Sequence, residues 1–261
     1  VIRNFFIGTG IDCFLLEVRS RLYLVLSSLK SSASIGTELN DYLATYLLVR
    51  LCDDDKTFID VGSHIGSVIS EVKHHRKSRI IAFEAIPKKA QKLIKKFPDV
   101  TVFNYAVSDT SGKSKFYINE KLSGYSSLNK TNGTVEIDVD VSTIDTLINI
   151  NDVDVIKIDI EGAELGALRG AVKLINKCHP TIMFESGPQE VLGYTKKEIW
   201  EFFDLIGYKT FIPNRLAHNA SPLSLDGFLD SHEYPRRTTN YFSVHESRIK
   251  EIKQKALGIL S

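Results

Sequence analysis

An α/β fold with a mainly parallel sheet covered by helices on both faces is predicted by three features of this 261-residue chain. Short apolar segments alternate with stretches of 3.6-residue periodicity, the order that builds a parallel sheet. Two of the segments, VDVIKID and PTIMFE, are near-continuous apolar runs, as central strands buried on both faces require. The ends of four strands carry carboxylates, and a glycine turn follows the first of them, which places a site along one edge of the sheet. The length suits one large α/β domain or two small ones. No linker divides the chain, so the expected organisation is an N-terminal helical appendage, 1–35, and one domain, 36–261.

The appendage has a short irregular start, a helix near 12–29 and a Ser-rich link, KSSASIG. Glu17, Arg19 and Arg21 interrupt the apolar stretch 14–29, so it is a poor membrane span. It reads as an amphipathic helix packed on its own domain or on a partner, with a homodimer through this helix as one form of that packing. A helix over 38–51 and the turn DDDK lead into the first strand. Strands are expected at 57–61, 79–83, 100–107, 153–158, 180–185, 208–212 and 240–245. Between them, Ala90, Leu93, Ile94 and Phe97 form one helical stripe, Leu168, Ala171, Val172 and Ile175 a second, and Ile199, Phe202, Phe203 and Ile206 a third. After the third strand, FYI and VEIDVDV alternate as an inserted pair of strands flanking a Gly/Ser/Asn-rich loop, either plain loop or a lid.

Charge narrows the partners. The chain has 33 basic and 32 acidic residues, a net charge of +1, which argues against a phosphate-driven nucleic-acid binder. The basic runs at 73–79 and at Lys88, Lys89, Lys92, Lys95 and Lys96 read as solvated helix faces. Cys13, Cys52 and Cys178 are too few and too scattered for a disulfide framework or a zinc site. A reducing, cytoplasmic setting is expected, with no secretory signal in view.

The chemistry concentrates in TFIDVGSHIG and in Glu84, 24 residues after Asp60. Gly62 to Gly66 form a turn into a helix, where a missing β-carbon allows close approach and the helix start offers unpaired N–H groups. Glu84, ending the second strand, is placed to accept hydrogen bonds from ribose hydroxyls. The turn is Gly-x-x-x-Gly, and Asp60 beside it is awkward for a pyrophosphate but suits a cation. S-adenosylmethionine, with an ammonium and a sulfonium and no phosphate, fits better than a nicotinamide dinucleotide; an oxidoreductase and a non-catalytic module are the alternatives. Asp60, Glu84, Asp159, Glu161 and Glu185 crowd one edge and need a cation among them. A sulfonium, a metal or Lys157 would serve. Asp159, Glu161 and Glu185 would suit Mg²⁺, though a metal is not the favoured reading.

FIDVGSHIG, AFEAIP, FNYAVSD, STIDTL, VIKIDIEGAELGALRGA and PTIMFE, in this order and spacing, resemble the FkbM family over roughly 36–187. The resemblance implies a Rossmann-like, class I S-adenosylmethionine-dependent methyltransferase, generally an O-methyltransferase of sugars and natural products. It implies a seven-stranded sheet of order 3-2-1-4-5-7-6 whose last strand, Asn240–His245, is antiparallel. Asp60, Gly62 and Gly66, with Ser63 and His64 between them, would hold the methionine part of the cofactor. Glu84 would hold the ribose. Ala106, with Ser108 or Asp109, would border the adenine, and Asp159 would sit beside the transferable methyl group. His64, where the family often has Asn, and Ala85-Ile86-Pro87, where Pro often follows the glutamate directly, are departures. An aliphatic hydroxyl acceptor calls for a general base. Asp159 and Glu161 lead as candidates, Glu185 follows, and His64 is a fourth. Tyr125, Ser126 and Ser127 are candidates for the acceptor pocket. The expected acceptor is a sugar, a glycan or another small natural product.

Overall fold

The structure, a computed structural model, describes residues 7–9, 11–30, 35–118, 135–187 and 193–261. Its strands are β1 (Thr57–Val61), β2 (Arg79–Phe83), β3 (Thr101–Phe103), β4 (Ala106–Val107), β5 (Gly112–Ile118), β6 (Val135–Ser142), β7 (Val153–Ile158), β8 (Thr181–Glu185), β9 (Tyr208–Phe211) and β10 (Asn240–His245). Seven of them form one sheet in the order β3-β2-β1-β7-β8-β10-β9. β10 runs antiparallel to both of its neighbours, β8 and β9. With the inserted strands left out of the count, this is the expected 3-2-1-4-5-7-6.

Side-chain alternation along the central strands divides the core in two. Phe58, Ala82, Val155 and Met183 face the layer that includes the helices Ile35–Leu51, Ser67–His75 and Ile249–Leu260. Ile59, Val61, Ile156 and Phe184 face the layer of Glu164–Arg169, Val172–Cys178 and Lys196–Leu205. Both faces of β1 and β7 are therefore covered, which is why every residue of each is buried.

Several expectations need correction. The strand expected at 100–107 is two strands in different sheets. Asn104 marks the break: its side-chain amide donates to the carbonyls of Glu84 and Ala85 at 2.8 and 3.0 Å, tying the chain to the end of β2. Beyond it, β4 pairs in parallel with β6, and β6 pairs antiparallel with β5, forming the inserted sheet. The stripe on the helix Pro87–Lys96 is narrower than expected. Ala90, Leu93 and Phe97 are buried, but Ile94 is half exposed because this helix covers the sheet near its β3 edge. The stripe from Leu168 to Ile175 spans two short helices separated by a turn at Gly170 and Ala171. The loop residues Tyr125, Ser126 and Ser127 lie outside the described residues.

The helix Asp12–Lys30 is anchored at its start. Ile7 and Leu16 are buried, and Asp12 accepts hydrogen bonds from the Gly8 amide and the Ser70 hydroxyl. Phe14, Val18, Leu22 and Val25 on the same helix are exposed. Among the described residues, no helix is long and apolar enough to cross a membrane.

Candidate active site

The site is built where β1, β2 and β7 end together. In-register pairing sets Asp60 against Lys157, and Val61 against Phe83 and Ile158. Asp60 is wholly buried, and neither of its carboxylate oxygens makes a hydrogen bond. Its compensation is the buried ammonium of Lys157, 3.4 Å from Asp60, 3.2 Å from Asp159 and 3.2 Å from the carbonyl of Gly62. Burial pushes the Asp60 carboxyl up, and Lys157 opposes this. Burial works against the charged form of Lys157 as well, yet the carboxylates of Asp159 and Asp60 raise it further above the ordinary lysine value.

The turn after β1 is sewn to β2. The amides of Gly62 and Ser63 both donate to the Phe83 carbonyl at 3.0 Å. Gly62 adopts φ 85°, and a β-carbon there would stand 2.0 Å from the Asp159 carbonyl oxygen. At Gly66, φ 83°, a β-carbon would stand 2.5 Å from the Phe97 ring. Both glycines are thus required by the protein's own packing, at Gly62 against the loop after β7 and at Gly66 against the residue that ends the next helix. These contacts add a packing requirement to the close approach expected at Gly62.

Glu84 ends β2 almost fully buried. Its Oε2 accepts from the His64 amide at 2.8 Å and its Oε1 from the Ile86 amide at 2.9 Å. A carboxylate oxygen has two lone pairs, so each keeps one for a further donor, as two ribose hydroxyls would require. Burial raises the Glu84 carboxyl, while the Ile86 amide, Lys89 and the His64 amide favour its charged form.

A cleft of about 580 Å³, part of it open to solvent, runs from the turn to the inserted sheet. Gly62, His64, Glu84, Ala106, Asp159 and Glu161, all candidates from the sequence, line it. Residues that sequence reasoning missed also line it, among them Ile86, Lys89, Tyr105, Val107 and Phe116. Lys89, expected on a solvated face, is half-buried at the start of the helix Pro87–Lys96, where burial lowers it and the Glu84 carboxylate opposes that. Phe116 comes from β5, and the alternation in KFYI was the available signal for its facing inward. Ser63 and Gly66 belong to the turn without lining the cleft, and the Ser63 hydroxyl donates to the Asp60 carbonyl at 2.9 Å. Ser108 and Asp109 lie off the cleft, against Gly166 and Gly170.

Beyond β7 and β8, Asp159, Glu161 and Glu185 bring carboxylate oxygens within 4.8 Å of one another. Their surroundings separate them. Burial would raise Asp159, but Lys157 and a hydrogen bond with Glu185 hold it below the usual carboxylate range. Burial and the adjacent Asp159 push Glu185 up to about 10. Like charges at this range oppose each other's ionisation, which favours one proton shared between the pair. Burial, Asp159 and Glu164 push Glu161 up to about 7. A shared proton and Lys157 thus balance this edge with the residues present. His232 is buried beside it, with Nε2 2.9 Å from the Ser186 hydroxyl and Nδ1 2.8 Å from the Phe228 carbonyl, a structural engagement of both ring nitrogens.

The residues fit a cationic nucleoside. Glu84 has spare acceptor capacity, the Asp60 carboxylate lies beneath the turn with Lys157 as its ion-pair partner and no hydrogen bond, and Ile86, Val107 and Phe116 supply apolar wall.

A model of the FkbM methyltransferase domain matches residues 60–210. No curated protein matches the chain. Among solved structures, an FkbM methyltransferase from Methylobacillus flagellatus is 18% identical, with a TM-score of 0.45 over 74% of this chain. The match spans 44% of that protein, less than half its length. Precorrin-6y C5,15-methyltransferase from Geobacter metallireducens is 17% identical, covering 65% of this chain and 71% of its own, with a TM-score of 0.41. A TehB-like methyltransferase from Corynebacterium glutamicum is 10% identical, covering 77% and 85%, with a TM-score of 0.42.

Proposed function

Because the chain belongs to the FkbM methyltransferase family, an S-adenosylmethionine-dependent family, we propose that it methylates a hydroxyl of a sugar, a glycan or another small natural product. That membership sets aside the nicotinamide-dependent alternative. The observation that carries the hydroxyl reading is Glu161, a carboxyl at the cleft whose proton affinity is raised to about 7. A group poised there takes a proton from an alcohol far better than an ordinary carboxylate does.

S-adenosylmethionine, when bound, supplies an electrophilic methyl group on a sulfonium. The chain's own residues do the rest. Glu84 holds the ribose hydroxyls through its two free lone pairs. His64 and Gly62 shape the methionine side of the cleft, over the Asp60 carboxylate. Ala106, with Tyr105, Ile86 and Phe116, borders the base. Asp159 offers negative charge at the sulfonium end. Glu161 receives the acceptor's proton, and Glu185, sharing a proton with Asp159, orients that carboxylate. Most of the rate gain expected from such a site is alignment of the reacting atoms.

The test is a panel of hydroxylated sugars, glycans and polyketides incubated with protein and S-adenosylmethionine carrying a labelled methyl group. Label appearing in an ether, and lost in Glu161→Gln, supports the reading. Label on carbon, nitrogen or RNA overturns the hydroxyl assignment while leaving the methyltransferase standing.

A further inference from the structure

The loop that carries Asp159 and Glu161 is unusual in its backbone. Glu161 has φ 54° and Gly162 φ 95°, two consecutive left-handed residues, the first of them not glycine. In this loop the Ile160 and Gly162 amides turn toward one acceptor. That acceptor is a side chain. Glu164, 1% exposed, accepts from the Gly162 amide through both oxygens, at 3.1 and 3.0 Å, and from the Ile160 amide at 3.2 Å. The Tyr194 hydroxyl donates to Oε2 at 2.8 Å. Every contact made to this carboxylate is from a donor, and these donors favour its charged form against the burial that raises it.

Glu164 also opens the helix Glu164–Arg169, and an acidic residue in a first turn often does no more than complement the helix dipole. That role needs charge near the helix start and no particular aim. Here the carboxylate turns back from its helix onto the loop, and the segment after β8 joins it there. The Gly193 amide donates to the Gly162 carbonyl at 3.3 Å, one residue before Tyr194. On the far side, the Asp159 amide donates to the Val61 carbonyl at 3.1 Å, and Gly62 packs against the Asp159 carbonyl. The loop is held from both flanks.

We propose that Glu164 is a positioning residue whose buried carboxylate gathers the Ile160 and Gly162 amides and so fixes the aim of Asp159 and Glu161, with Tyr194 as the second point of the clamp. The proposal rests on the reading of Asp159 as the neighbour of the methyl group. Charge alone at Glu164 does not satisfy it; the geometry between amides, carboxylate and phenol does.

The experiment uses S-adenosylmethionine carrying ¹³C in its methyl group, bound to wild type, Tyr194→Phe and Glu164→Gln. The methyl resonance reports the electrostatic surroundings of the sulfonium and needs no acceptor. Tyr194→Phe keeps the ring and the Glu164 charge. It should fold and bind as wild type does, with the methyl resonance displaced from its wild-type position toward that of the free cofactor. Glu164→Gln should displace it further. A purely structural role would change melting temperature and leave the resonance of the folded, loaded protein in place, and that result overturns the proposal. If Glu164→Gln does not fold, Tyr194→Phe decides. If wild type does not bind the cofactor, the placement of Asp159 falls, and the clamp is decided by hydrogen exchange. Faster exchange of the Ile160 and Gly162 amides in Tyr194→Phe supports the clamp, and unchanged exchange overturns it.

Discussion

The backbone amide of His64 donates to Glu84 Oε2 at 2.8 Å, so the turn after β1 and the carboxylate ending β2 are one hydrogen-bonded unit. The Ile86 amide holds the other oxygen at 2.9 Å. Glu84→Ala leaves both amides without their acceptor, and an unsatisfied buried donor costs about 1–3 kcal/mol. Glu84→Gln keeps one accepting oxygen. Urea denaturation should find the alanine variant clearly less stable than the glutamine variant. Equal stability would mean that water replaces the carboxylate and the unit is not structural.

Lys157 is the fixed cation of the site. Lys157→Met leaves the buried Asp60 facing Asp159 with no counter-charge, and breaking a buried pair in this way costs about 3–5 kcal/mol. Adding Asp60→Asn to Lys157→Met should recover part of the loss in a denaturant titration. No recovery would place the penalty elsewhere than in the Asp60 charge.

Glu161 gives a pH dependence with a definite sign. Its folded value, about 7, lies above the ordinary glutamate value, so between these the folded state binds the extra proton. Stability is then lost as pH rises from about 4.5 to about 7, because burial, Asp159 and Glu164 oppose ionisation in the folded state and not in the unfolded one. Glu161→Gln removes this loss. Its melting temperature, relative to wild type, should rise between pH 5 and pH 8 on the order of a few degrees. A difference that stays flat with pH would contradict the assignment.

Gly62→Ala tests the packing account of the turn. The new β-carbon meets the Asp159 carbonyl, at a φ that ordinary residues adopt at a cost of about 1–2 kcal/mol before any clash. The melting temperature should fall by roughly 4 °C or more. An unchanged melting temperature would show that the turn and the loop after β7 do not touch as described.

The sheet was legible because its central strands are buried on both faces and so appear as unbroken apolar runs, TFIDV and VDVIKID among them. Strand ends were legible because Glu84, Asp159 and Glu185 each close an apolar run. The split between β3 and β4 was hidden, since it depends on what the Asn104 amide reaches across the chain. Lys89 and Phe116 were hidden for a related reason: the helix and the inserted strand carrying them join the cleft only through tertiary packing. Gly62 was legible as a point of close approach, but its contact with Asp159, and that of Gly66 with Phe97, join residues distant in sequence. Glu164 stood in plain view within IEGAE, and nothing local shows that its side chain folds back on Gly162.

The most direct measurement is calorimetric titration of wild type and Glu84→Gln with S-adenosylhomocysteine. Hydrogen bonds to a charged acceptor are worth about 1.5–3 kcal/mol, so saturable binding by wild type should weaken roughly 10- to 100-fold in the variant. No binding by folded wild type, or equal binding by Glu84→Gln, would contradict the placement of the cofactor's ribose on Glu84.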